Sequence, residues 1–123
     1  MKFTDLFSGE VSSDDAAGEF SSAQEFGKLA VSRSFIFEKK FMKAGFIPIS
    51  SVKQVFQRVR PVSAGCCPPY TVEEQYFVAV YGDDMKELEI FVGENRHGDV
   101  EVKRALELFR NIEGIQIGFS RGK

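Results

Sequence analysis

Cys66 and Cys67, the only cysteines of the chain, are adjacent and are followed directly by Pro68 and Pro69. Thiolates are nucleophiles and ligands of soft metal ions, so the pair is compatible with a zinc site, a redox pair or a stiff loop that carries two thiols. A closed zinc site takes about four ligands, more than two cysteines supply, and the CxxC spacing of redox motifs is absent. Because the prolines fix φ and restrict the preceding residue, the stretch 64–71 is interpreted as a stiff loop between strands.

His97, the single histidine, lies in the segment 93–99 and could form a thiol–imidazole pair with a cysteine, although nothing in the sequence places the two together. The motifs GxSxG, HExxH and GxGxxG and the phosphate-binding P-loop are absent. The acidic stretch 82–89 has too few oxygen ligands at the spacing of a calcium loop, and its Gly-Asp-Asp start is typical of a turn. Because no nucleophile, base or metal set is assembled, the sequence indicates a non-enzymatic protein without cofactor or metal.

Positive charge is concentrated in the middle of the chain, where residues 28–60 contain eight lysines and arginines and one acid, while both flanking regions are acidic. Such a segment is typical of a surface that binds an anion or an acidic partner; the alternative is that the flanks fold back and neutralise it. The candidate binding residues are Lys39, Lys40, Lys43, Arg58 and Arg60. A pI of about 5.5 argues against nucleic acid as a partner, because phosphate contacts dominate that affinity.

The length of 123 residues suits one domain with its own core. No apolar run approaches the roughly 18–20 residues that span a bilayer, and the stretch 1–15 lacks the apolar region of a secretory signal. We therefore expect a cytoplasmic protein whose thiols stay reduced. Of its aromatic residues 13 are phenylalanines, which have no polar group, so most of these rings are expected in the core.

From residue 28 onward the pattern is that of short strands, with six or seven expected and with connections short enough to favour antiparallel pairing. The predicted strands include 28–32, 34–40, 45–50, 51–62, 75–82 and 87–93. An amphipathic helix follows, from an N-cap at Asp99 to Gly114, and its apolar stripe requires burial. This order predicts a mainly-β, α+β fold: a curled antiparallel sheet or small open barrel whose end is capped by one C-terminal helix.

Three local features refine this prediction. Residues 1–27 are interpreted as an acidic, partly helical lead-in with helical turns at 3–7 and 20–27 and a loop between them, separate from a single domain at 28–123. Gly45 is expected to be the flexible point of a turn after the second strand. Pro48 within an apolar run predicts an edge position or a bulge.

The stretches KLAVSRSFIF (28–37) and IPISSVKQV (47–55), with ELEIFV (87–92) before a terminal helix, resemble the bacterial pleckstrin-homology-like family over residues 28–113. The resemblance implies a binding or assembly module and no enzyme. Members that bind phosphoinositides use basic residues around the first hairpin, and the nearest positions here are Lys28, Arg33, Lys39, Lys40 and Lys43. The tight VSRSF connection leaves little loop to hold a headgroup, and bacterial members generally lack that activity.

The function predicted first is protein–protein interaction or self-association. Contact candidates are Phe91 on the polar-facing side of its strand, Pro48 and the phenylalanine-rich lead-in. The alternative is binding of an anionic lipid headgroup or small ligand through the basic segment 28–60. The terminal helix carries too few cations to favour it as a membrane-surface anchor.

Overall fold

The computed structural model describes residues 2–7 and 14–119. This part of the chain contains nine strands, two α-helices and one 3₁₀ turn. In chain order the elements are β1 (Lys2–Asp5), α1 (Asp14–Phe20), β2 (Gln24–Phe26), β3 (Leu29–Val31), β4 (Phe35–Lys40), β5 (Lys43–Pro48), the 3₁₀ turn (Ile49–Ser51), β6 (Val52–Ala64), β7 (Tyr70–Tyr81), β8 (Lys86–Glu94), α2 (Asn95–Glu107) and β9 (Gln116–Phe119). The predicted mainly-β, α+β class is confirmed. Among the described residues, neither helix is long and apolar enough to cross a membrane.

The strands form two sheets: sheet A has the order β1-β5-β4-β3-β2, and sheet B has the order β8-β7-β6-β9. Consecutive strands within each sheet pair antiparallel, as predicted, but β1 lies parallel to β5 and β9 lies parallel to β6. The expectation of wholly antiparallel pairing is therefore wrong at one edge of each sheet. Parallel pairing is possible there because long stretches of chain separate the partners, whereas a short turn allows only the antiparallel arrangement.

The predicted single curled sheet or small open barrel is instead a pair of sheets that do not close into a barrel. The 3₁₀ turn interrupts the chain between β5 and β6, so these strands do not pair with each other. Backbone hydrogen bonds still join the two sheets at separate places. The N–H of Lys28 donates to the carbonyl of Phe91 (3.2 Å), and the N–H of Gly82 donates to the carbonyl of Ser51 (2.9 Å).

Two apolar clusters hold the layers together. The main core lies between the sheets and under α2, and its fully buried side chains include Leu29, Ile36, Ile47, Val55, Phe77, Ile90, Val102 and Phe109. The second cluster lies on the opposite face of sheet A, under α1, and contains Phe3, Ala16, Ala30, Phe37, Ala44 and Phe46. The rings of Phe20 and Phe37 meet edge to face with centroids 5.0 Å apart. The aromatic side predicted for the strand 34–40 is therefore confirmed, and α1 covers it.

The described part of residues 1–27 is partly helical, as predicted, but the helix does not lie where it was predicted. The segments 3–7 and 20–27, predicted as helical turns, contain the strand residues of β1 and β2, and the loop predicted between them contains α1. A few phenylalanines at irregular spacing fit a helix or a strand equally well, so tertiary contacts decide. Phe3 packs against the ring of Phe37, with centroids 6.0 Å apart, and β1 pairs with β5.

The predicted C-terminal amphipathic helix exists as α2, but its bounds differ from the prediction. It spans Asn95–Glu107 and not 99–113, and the segment 93–99, predicted as a loop, supplies its first turns. The N-cap is Glu94, and Asp99 lies inside the helix. The chain after α2 continues in turns before β9.

Gly98 accounts for the earlier start of α2. A Cβ at this position would lie 2.4 Å from the backbone carbonyl carbon of Gly93, so the missing side chain lets the helix lie directly on β8. The predicted apolar stripe is buried: Val102, Ala105 and Phe109 are fully covered in the main core.

The connection between β4 and β5 also differs from the prediction. The turn consists of Phe41 and Met42, and Gly45 lies inside β5. Met42 adopts a φ of 57°, a region that side chains other than glycine rarely occupy. β5 lies between β1 and β4, but β1 pairs only with residues 43–46, so Pro48 is paired on the β4 side alone and occupies a local edge position, as predicted. Pro48 is the last residue of β5, where a strand tolerates the loss of a backbone donor.

Candidate binding surfaces

The five basic residues predicted as a binding site lie on two different sheets. Lys39, Lys40 and Lys43 are next to the turn between β4 and β5 in sheet A, whereas Arg58 and Arg60 lie on β6 in sheet B. The fold therefore divides the predicted site into two candidate surfaces.

The first surface is the end of the β4–β5 hairpin. Lys39 forms an ion pair with Glu25 (2.5 Å), and Lys40 has a longer contact with Glu38 (3.9 Å). Lys43 lies directly opposite Lys40 in the strand register. Because like charges at opposite positions of a ladder repel each other, this arrangement costs stability.

Between these lysines lie the two residues of the turn, Phe41 and Met42, which we call the β4–β5 tip. Phe41 is 90% exposed and Met42 is 70% exposed. The sequence predicted a turn at these residues but did not predict that their two large apolar side chains would be exposed. The signal was present in the sequence: a Phe-Met pair bracketed by lysines in the stretch 39–43.

The second surface is the face of sheet B that points away from the main core. Arg58 donates from Nη1 to Glu87 Oε1 (3.1 Å) and to Glu89 Oε2 (2.9 Å), and Arg60 donates from Nη2 to the same Glu89 oxygen (2.7 Å). These acids come from β8, two strands away from β6. The arginines predicted as anion ligands thus have carboxylate partners within the sheet.

Aromatic rings lie between the charges on this face. The guanidinium carbon of Arg58 is 5.2 Å from the ring centroid of Phe56, and that of Arg60 is 5.7 Å from the ring of Tyr76. Tyr76 also meets Phe91 edge to face, with centroids 5.6 Å apart. The face therefore alternates aromatic rings with paired charges.

The pKa values on this face reflect the same contacts. Hydrogen bonds to Glu89 and Glu87 raise the pKa of Arg58. Burial by itself raises the pKa of Glu89, but the hydrogen bonds from Arg60 and Arg58 outweigh it and hold that pKa below its ordinary range. Burial, together with the hydrogen bond to Glu74, raises the pKa of Tyr76 to about 12. Arg58, Arg60 and Glu89 thus stay charged and Tyr76 stays neutral at neutral pH.

We call this surface the open face, because neither described helix packs on it. The buried residues of α1 belong to the cluster on sheet A, and those of α2 belong to the main core between the sheets. The strand register places on the open face the side chains of Phe56, Arg58, Arg60, Val62, Tyr70, Val72, Tyr76, Val78, Glu87, Glu89 and Phe91. The long charged side chains shelter the valine beneath them: Val78 is fully buried.

The open face continues onto a protruding hairpin, residues 60–72, which we call the arm. Pairing with β9 covers β6 only at residues 54–57, and pairing with β8 covers β7 only from Glu74 onward. Both edges of the arm are poor templates for another strand. At the base of the arm, Pro61 lacks a backbone donor on one edge, and on the other edge the N–H of Glu73, the residue that follows the arm, donates to Asn95 Oδ1 (3.0 Å).

Cys66 and Cys67 lie at the end of the arm as free, exposed thiols, in the connection between β6 and β7. The predicted loop between strands is confirmed, but it is limited to residues 65–69, because β6 extends to Ala64 and β7 begins at Tyr70. A hydrogen bond to Cys66 raises the pKa of Cys67, so the two thiols face each other. His97 lies in the first turns of α2, a different element, and the structure does not build a cysteine–histidine pair from it.

No group of three or more metal-ligating side chains occurs among residues 2–7 and 14–119. A shallow cleft of about 420 Å³ lies between the end of α2 and the edge of sheet A, lined by Ser22, Gln24, Val31, Ser32, Arg33, Ile49, Leu108, Phe109 and Ile112. This lining contains no acid, histidine or cysteine.

Comparison with family models, with curated proteins and with solved structures found no match for this chain. The choice of function therefore rests on the geometry of these surfaces.

Proposed function

We propose that this chain is a non-enzymatic binding module of pleckstrin-homology-like architecture that holds a protein partner on its open face and arm. The element order supports the architecture: a four-strand antiparallel meander (β2 to β5), a three-strand meander (β6 to β8) and then α2. The resemblance covers residues 28–113 and implies a run of antiparallel strands followed by a terminal helix; β3 to α2 follow that order, while β2 precedes the range. The module is placed in the cytoplasm, where adjacent exposed thiols stay reduced.

The observation that carries this proposal is the difference between the outer faces of the two sheets. On sheet A, α1 covers the aromatic face and buries Phe37 completely. On sheet B, no described element covers an equally aromatic face. Arginine, tyrosine and phenylalanine, the residue types found there, are enriched at protein interfaces and at their energetic hot spots.

The arm extends the open face with two exposed apolar side chains, although Val72 on the same face is buried. Val62 is 36% exposed and Tyr70 is 62% exposed, and both lie on the same face of the hairpin as Arg60. Since each edge of the arm lacks a free backbone donor at its base, we expect a partner to dock against side chains and not to add a strand. The salt bridges of Arg58 and Arg60 are already formed, so docking does not require new pairing of these charges.

Site-specific photo-crosslinking in the native cell tests the proposal. A benzophenone amino acid in place of Tyr70 should give an adduct of one defined mass, whereas the same label at Lys103, an exposed position of α2, should not. An adduct of twice the chain mass identifies the partner as a second copy, and any other single mass identifies a different protein.

A matched pair of valine substitutions provides the control. Val62→Asp should reduce the Tyr70 adduct at least tenfold, because a carboxylate would be buried in the interface. Val100→Asp on α2, where the valine is comparably exposed, should leave the adduct unchanged. Equal labelling from both positions, or equal effects of both substitutions, would show that the open face has no specific protein partner.

A further inference from the structure

The β4–β5 tip has features that do not help this chain to fold. Phe41 and Met42 leave most of their apolar surface in water, and Met42 accepts a left-handed φ where glycine or asparagine is preferred. Hairpin turns of two residues are ordinarily made by polar residues or glycine. Two large apolar side chains at this position therefore suggest an environment other than water.

Lysines surround the base of the tip. Lys40 and Lys43 precede and follow it and lie opposite each other, and Lys2 on β1 lies opposite Lys43. All three residues are exposed. Among the described residues, Glu25 pairs with Lys39, and an oxygen of Glu38 lies 3.9 Å from Lys40 Nζ. Neighbouring strands thus place like charges side by side, which is unfavourable unless a negatively charged surface faces them.

We propose that the β4–β5 tip inserts into the interfacial region of a lipid bilayer that contains anionic headgroups, with Lys2, Lys40 and Lys43 contacting those headgroups. The shape of the tip favours a bilayer over a protein. Two side chains on a convex turn supply far less area than the roughly 1,200 Å² of a stable protein interface. They match the depth of about 5–10 Å to which interfacial apolar groups penetrate.

The charge pattern fits the same partner. Lysine stems extend along apolar surface while their ammonium groups stay at headgroup level. Each lysine close to an anionic membrane surface strengthens binding by roughly fivefold, and burying a phenylalanine side chain strengthens it by at least about tenfold. This binding mode is independent of the open face, which lies on the other sheet.

The absence of tryptophan from the chain provides a direct reporter. The Phe41→Trp variant should show a blue shift of its fluorescence with vesicles of phosphatidylcholine and phosphatidylserine, and quenching by brominated lipid, but neither with phosphatidylcholine alone. The matched control is Met85→Trp: Met85 is 55% exposed, has a φ of 55° and lies in the turn between β7 and β8, beside Asp83 and Asp84. Its fluorescence should not respond to either vesicle.

Vesicle flotation of the otherwise unaltered full chain measures each contribution. Lys40→Ala and Lys43→Ala should each reduce the affinity by about fivefold, Phe41→Ser by at least about tenfold, and Lys86→Ala and Met85→Ser not at all. Circular dichroism confirms that every variant remains folded. The proposal would be overturned if the protein bound neutral and anionic vesicles equally well, or if the Phe41→Trp spectrum did not shift. It would also be overturned if the chain oligomerised without lipid and buried the tip, which would assign the tip to a protein contact.

Discussion

Replacing Gly98 by alanine should destabilise this protein even though alanine is the better helix former. Gly98 lies in α2, where its backbone meets that of Gly93 in β8. The new Cβ would lie 2.4 Å from the carbonyl carbon of Gly93 and 2.5 Å from its oxygen, whereas ordinary contact begins at 3.4 Å. Since both neighbours are backbone atoms of regular elements, no side-chain rotation relieves the clash, and α2 has to move outward by about 1 Å.

The cost follows from what α2 covers. A gap of about 1 Å forfeits roughly half of the dispersion energy of the atoms along it, and the contacts at risk are those of Val102 and Ala105 with the main core. Overpacking of this kind costs about 1–3 kcal/mol, and a backbone clash belongs at the upper end, about 3 kcal/mol. Alanine recovers about 1 kcal/mol through its helix propensity. The net loss is about 2 kcal/mol, or roughly 8 °C in Tm for a chain of this size.

Urea and thermal unfolding followed by circular dichroism measure this loss, and Gly18 supplies the matched control. Gly18 also lies in a helix, α1, but nothing lies within 4 Å of a Cβ built there. Gly18→Ala should therefore stabilise the protein by about 0.5–1 kcal/mol. If Gly98→Ala is as stable as Gly18→Ala, the close approach of α2 to β8 is wrong, and with it the explanation of where the helix begins.

Gln57→Leu should cost about 2 kcal/mol in urea unfolding, because it leaves the buried amide of Gln75 (3% exposed) without its donor; an equal loss in the double variant with Gln75→Leu would contradict the coupling. The hydrogen bond from Gln57 is the main reason that the pKa of Asp99 lies below its ordinary value. The charged Asp99 therefore contributes its full stabilisation above the ordinary aspartate pKa of about 3.9, and this contribution is lost as the pH falls through the lower pKa of the folded state. Acid unfolding of Asp99→Asn should accordingly be less steep, and an unchanged pH profile would count against this. Disulfide-exchange titration of the native protein should detect both Cys66 and Cys67. Because the pKa of Cys67 is raised, its reaction should accelerate only at a pH above the ordinary thiol range. Thiols that do not react would show that other residues cover the end of the arm.

Strand prediction succeeded where a segment carried its own pattern. The alternation of Leu88, Ile90 and Val92 with acids predicted a strand with one buried face and one solvated face. The burial pattern of β8 matches this prediction. The aromatic side of β4 was likewise readable from Phe35 and Phe37. Predictions failed where the deciding contact lies far along the chain, as for β1, whose partner is β5.

The candidate site was only partly predictable. The basic residues were visible in the sequence, but a linear charge count could not show that Arg58 pairs with acids of β8 while Lys40 faces Lys43. Side chains on neighbouring strands become neighbours only once the register is set, and register depends on turns and on which face is buried. The exposure of Phe41 likewise depends on a two-residue turn that local propensity disfavours.

The mainly-β class, the antiparallel pairing of consecutive strands, an amphipathic helix after the strands and the loop that carries Cys66 and Cys67 could all be predicted from the sequence. These features depend on local periodicity and on the fixed φ of proline, which act within a few residues. Tertiary contacts were needed to show that α1 covers sheet A, that neither described helix covers the open face and that Gly98 lies inside α2. Each of these depends on the close packing of segments distant in sequence, and packing energies of that kind override local preference.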